Sequence, residues 1–215
     1  MRSTGVVTFI FFGAVGFGIG WAVLGVLGAG FPMAGGVGTV LGGAIFSGDL
    51  QSLLLYTPVL SLCGAFGGAM LGLAFNDFRR VVILAVLGAV GFFVGSFIVV
   101  ALFFSLSFAQ VGYSMLEALS AASLGLAIGA LLGLSLRSFR GTLVLGLMGL
   151  VGFGIGGMLA AALQGFPVQP SEGLFSLQSA MFGTIEGIVG GASLGAVLGS
   201  LERRRPATQR ESQVN

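Results

Sequence analysis

Residues Val81–Phe104 read VVILAVLGAVGFFVGSFIVVALFF, a run without one charged side chain and with Ser96 as its only hydroxyl. Two arginines, Arg79 and Arg80, stand directly before it. A helix needs about 20 apolar residues to cross the hydrocarbon core of a bilayer. The run is apolar on every side, so it does not carry the period-two alternation of a transmembrane barrel strand. It predicts a membrane-spanning helix that begins at an arginine-marked surface.

Working outward, five further runs of the same kind appear: Gly5–Gly30, Leu53–Phe75, Met115–Leu136, Gly141–Leu163 and Leu177–Leu201. The predicted fold class is all-α, a polytopic membrane protein of six transmembrane helices. Composition agrees. Over 215 residues, 56% are hydrophobic, only 7% are charged, and the mean hydropathy is +1.09. A soluble domain has about 25% charged residues, so this chain lacks the polar atoms for a wet surface of its size.

The arginines set the topology. Arg2 precedes the first run, Arg79 and Arg80 follow the second, and Arg137 and Arg140 follow the fourth. Arg203, Arg204, Arg205 and Arg210 follow the sixth. With six spans all 9 basic residues fall on one side, and the opposite loops hold only Asp49, Glu117 and Glu172 as charges. The positive-inside rule then places both termini in the cytoplasm, and a bacterial inner membrane is the expected location. The first run is too long for a signal-peptide core of about 7–15 residues. The transmembrane domain covers 1–201, and the polar tail 202–215 is expected to be disordered.

The odd runs share a string: Gly13-Ala-Val-Gly-Phe-Gly-Ile-Gly20, Gly88-Ala-Val-Gly-Phe-Phe-Val-Gly95 and Gly149-Leu-Val-Gly-Phe-Gly-Ile-Gly156. The even runs share another: Gly68-Ala-Met-Leu-Gly72, Gly129-Ala-Leu-Leu-Gly133 and Gly195-Ala-Val-Leu-Gly199. The chain therefore reads as three tandem two-helix hairpins, 1–80, 81–140 and 141–201. A unit with two spans returns to its starting side, so the copies are parallel, related by rotation about the membrane normal. The first copy carries a longer glycine-rich linker, Phe31–Ser52, which is either re-entrant or an outer loop.

Glycines in the even runs recur every four residues: Gly64, Gly68 and Gly72; Gly125, Gly129 and Gly133; Gly187, Gly191, Gly195 and Gly199. Residues four apart share a helix face. A face without side chains lets another backbone come close, which in lipid gains dispersion contact and Cα–H···O bonds. These rows predict glycine-zipper packing, and enough of it to make a homo-oligomer or docking among other membrane subunits plausible partners besides the bilayer.

Chemistry is sparse. There is no histidine or lysine and a single cysteine, which removes histidine acid–base catalysis, lysine Schiff bases, phosphate loops and Cys/His metal sites. No catalytic, metal or cofactor site and no nucleic-acid partner is expected. Glu186 is the exception deep within a span, about 14 Å from the outer end at about 1.5 Å per residue. A carboxyl at that depth is costly and marks a functional position by default. It is expected to be protonated or hydrogen-bonded, with Thr184, Ser120 and Ser123 as neighbours. Glu117, at the outer start of its helix, reads as a favourable partner of the helix dipole. Two functions remain: a non-catalytic accessory or structural subunit of a membrane assembly, or a small transporter or channel for an ion or small solute, with Glu186 as its proton- or cation-responsive group.

Overall fold

The computed structural model describes residues 5–28, 50–106, 113–164 and 174–204. Six helices occupy them: α1 Val6–Gly28, α2 Leu50–Leu73, α3 Phe78–Leu106, α4 Tyr113–Leu134, α5 Phe139–Gln164 and α6 Leu174–Arg203. Among the described residues four stretches are long and apolar enough to cross a membrane: Val6–Val23, Phe78–Leu102, Phe139–Leu163 and Ala180–Arg203. In α2 and α4 the described apolar stretches are shorter, Ser61–Leu73 and Ala118–Leu134. The linker Phe31–Ser52, apart from the start of α2, and most of the tail lie outside the described residues, as do Asp49, Glu172 and the side chain of Glu117.

Each helix packs on the next in sequence, and α6 packs on α1, so the six close into a ring. Side chains turned away from the ring are large and apolar. On α3 they include Val86, Val90, Phe93 and Phe97, and on α5 Leu143, Leu147, Val151 and Ile155, all exposed. Three- and four-residue spacing keeps each set on one outward stripe. A water-facing helix would be polar there, whereas lipid accepts it.

Two turns show how the sequence sets the ring. At the end of α2 the backbone tightens, with Ala74, Phe75 and Asn76 N–H groups donating to the carbonyls of Leu71, Gly72 and Leu73. Asn76 then takes a left-handed φ of 58°, and the Asp77 carboxylate accepts the Arg79 N–H at 3.0 Å to start α3. The second turn repeats each step. Ser135, Leu136 and Arg137 donate to Leu132, Gly133 and Leu134, Arg137 has φ 49°, and Ser138 Oγ accepts the Gly141 N–H at 3.3 Å. A left-handed residue ends one helix and a short polar side chain caps the next, which reverses the chain in a few residues.

The closest backbone approaches lie along three seams, two of them across these turns and the third between α6 and α1. In α2, Gly64, Gly68 and Gly72 meet the backbones of Gly88, Leu84 and Val81 in α3. In α4, Gly125, Gly129 and Gly133 meet Gly149, Leu145 and Thr142 in α5. In α6, Gly191, Gly195 and Gly199 meet Gly13, Phe9 and Val6 in α1, while Gly187 meets the Phe17 carbonyl. The three seams carry the same ladder of contacts. By contrast, the approaches of α1 to α2 are made largely by side chains: Gly16 faces Met70, and Gly67 faces the Phe17 ring.

Candidate functional site

The centre of the ring is filled by aromatic rings. Phe17 of α1, Phe92 of α3 and Phe153 of α5 are each fully buried, and they occupy the same place in the three shared glycine strings. Phe17 stacks on Phe92 at 6.5 Å between centroids and meets Phe153 edge-on at 5.6 Å. Trp21, one turn further along α1, contacts both Phe92 at 5.5 Å and Phe153 at 6.4 Å. These helices are not neighbours in the ring, so the rings bridge its interior. Glycines make the room: Gly67 and Gly190 lie against the faces of Phe17 and Phe153, and Gly187 lies against the Trp21 indole. Trp21 Nε1 is buried without a hydrogen-bond partner among the described residues.

Beyond this plug, on the side away from the arginine turns, the buried polar residues among those described are Thr57, Ser96, Ser120 and Glu186, one on each of four helices. Glu186 is 1% exposed and stands roughly 25 Å along α6 from Arg203, at about 1.5 Å per residue. Its backbone rests against Gly156 of α5, where an added Cβ would lie 2.9 Å from the Glu186 Cα. The glycines flanking it on α6, Gly183 and Gly187, both face Trp21. Ser120 is as deeply buried as Glu186. Several hydroxyls satisfy their own helices. Ser96 Oγ donates to the Phe92 carbonyl at 2.7 Å, Thr184 Oγ1 to that of Ala180 at 2.6 Å and Ser123 Oγ to that of Ser120 at 2.9 Å. Back-bonding of this kind hides a hydroxyl in an apolar setting. Ser193 also reaches across from α6 to the Met148 carbonyl of α5 at 3.3 Å.

An ion pair spans the arginine end. Arg80, at the start of α3, pairs with Glu202 at the end of α6 at 3.3 Å. In ring order α3 and α6 are opposite one another, so this ion pair crosses the mouth. Asp77 holds the same guanidinium at 3.6 Å, and the Phe75 ring lies under it with Arg80 Cζ 4.4 Å from the centroid. Phe75 meets Phe9 of α1 edge-on at 4.8 Å. Asp77 thus both caps α3 and steadies Arg80.

The structure brings Glu186 and Thr184 onto α6 and buries Ser120 on α4, in the same half of the bundle. Cys63, the single cysteine of the chain, is buried. Among the described residues no group of three acidic, histidine or cysteine side chains is placed to hold a metal ion. Two features escaped the sequence reading. The aromatic plug had a signal, phenylalanine at one fixed place in three strings. The Arg80–Glu202 strut had none, because the two are far apart in the chain. Compared with known protein families, curated proteins and solved structures, the chain matches none.

Proposed function

We propose that this chain is a non-catalytic integral membrane protein, an accessory or structural subunit of a membrane assembly, built as a triplicated two-helix unit whose six helices all cross the bilayer. Glycine-zipper seams hold the units together, and both termini lie on the arginine-rich, cytoplasmic side of a bacterial inner membrane. The carrying observation is the filled centre. Phe17, Phe92, Phe153 and Trp21 occupy the space a path along the ring axis would need, and the arginine-side mouth is crossed by Arg80 and Glu202. What the ring offers to its surroundings is an apolar outer wall, suited to lipid and to other membrane helices.

The test is extraction in a mild detergent followed by native mass measurement. A discrete homo-oligomer or a complex with another membrane subunit is expected. A lone monomer at every detergent and protein concentration overturns the reading.

One observation favours a second reading, a small transporter or channel. Buried Thr57, Ser96, Ser120 and Glu186 put polar groups beyond the plug, where intramembrane ionisable residues commonly mark an ion or proton route. Proteoliposome flux separates the two. The accessory role predicts no flux of protons, sodium or small solutes. Flux whose pH dependence changes in Glu186→Gln would establish transport instead.

A further inference from the structure

The two most exposed large apolar side chains described are Phe78 at 81% and Phe139 at 83%. They occupy matching positions. Each is the first residue of its helix, immediately after the capping Asp77 or Ser138, and each is followed by an exposed arginine, Arg79 or Arg140. In water a fully exposed phenylalanine at a polar turn gains nothing, since its apolar area stays wet. At a bilayer boundary the same pair is complementary to a lipid: the ring lies among the first methylenes while the guanidinium meets the phosphate.

The charge of this end fits an anion. Arg79, Arg137, Arg140, Arg203 and Arg204 are all exposed here. The two acidic side chains described at this end, Asp77 and Glu202, both lie against Arg80. We infer that Phe78–Arg79 and Phe139–Arg140 are twin docking points for anionic phospholipids at the arginine-side rim. The inference rests on placing these turns at the bilayer surface, and it adds a lipid preference that the positive-inside rule alone does not require. Anionic headgroups attract each basic residue near the surface, and arginine adds a forked bond to phosphate.

The experiment uses the full chain in detergent with phosphatidylglycerol or phosphatidylcholine added, reading retained lipid by native mass spectrometry and thermal stability in parallel. Wild type is expected to retain phosphatidylglycerol in preference, less so as salt rises. Arg79→Gln with Arg140→Gln is expected to lower that retention by about fivefold per arginine. Phe78→Ser with Phe139→Ser lowers it as well, whereas Arg79→Lys with Arg140→Lys keeps most of it. Equal retention of the two lipids by wild type, or no effect of salt, overturns the inference without requiring any variant to fold. So does displacement of the lipid by soluble glycerol phosphate at equal concentration, because that occupant has no acyl chain for the phenylalanines. An acidic protein partner released by the arginine variants overturns it too. Failure of the topology would register separately, as turns reached by reagents from the opposite face.

Discussion

A methyl group added at Gly129 tests the seams most sharply. The Cβ of Gly129→Ala would fall on the carbonyl of Leu145, with the Gly146 Cα 3.2 Å away. Backbone cannot swing aside as a side-chain tip can. One turn to either side, Gly125 and Gly133 sit equally close to Gly149 and Thr142, so α4 and α5 have no slack about which to hinge. Overpacking of this kind costs typically about 1–3 kcal/mol. The gain from removing a helical glycine is at most about 1 kcal/mol. Gly146→Ala is the matched control on the facing helix. Its Cβ would lie 3.4 Å from the Ala130 Cβ and 3.4 Å from Leu126 Cδ1, ordinary contact, so only the propensity gain remains. The two variants should differ by about 2 kcal/mol, roughly thirtyfold in the unfolding equilibrium. The single tryptophan, Trp21, is buried in the plug, so its fluorescence can follow unfolding in detergent micelles titrated with dodecyl sulfate. Coincident curves for Gly129→Ala and Gly146→Ala would refute the argument that backbone contact at Gly129 holds this seam.

Two further predictions concern the arginine end and the central plug. In a double-mutant cycle of Arg80→Ala and Glu202→Ala, the coupling should be about 0.5–1 kcal/mol, modest because the arginine side chain keeps 27% of its exposure. It should shrink as salt rises, and zero coupling would remove the strut from the account. Trp21→Phe should change the melting temperature little, since it keeps an aromatic filler and deletes a buried N–H without a partner among the described residues, whereas Trp21→Ala should cost about 3–5 kcal/mol. Equal losses in the two variants would mean that ring volume is not what Trp21 supplies.

The helices were legible because the apolar runs are long and the arginines punctuate them. Differences at the ends have local causes. Hydropathy alone carries the second run to Phe75 and begins the third at Val81, but α2 stops at Leu73 and α3 starts at Phe78. The left-handed Asn76 ends one helix, and the Asp77 cap admits Phe78, Arg79 and Arg80 into the next. Ser138 does the same for Phe139 and Arg140. The glycine rows announced close packing without announcing a partner. A bare face fits any backbone, and only the short turns at Asn76 and Arg137, with closure of α6 on α1, decide that each even helix lies tightest against an odd helix across the arginine side. Glu186 stood out because a carboxyl is rare in such a run. Its setting between Gly156 and the two glycines that face Trp21 depends on how α1, α5 and α6 meet, which no local pattern encodes.

Site-directed labelling tests the central claim, that all six helices cross the bilayer and leave the arginine turns on one face. In a Cys63→Ala background, single cysteines replace Asn76 or Ser138 in the turns, and Gln110 or Ser171 in the segments at the opposite ends of the helices. A membrane-impermeant maleimide is then applied to intact cells. The account predicts labelling at Gln110 and Ser171, with Asn76 and Ser138 reacting only after the membrane is opened. Labelling of either turn in intact cells would contradict it.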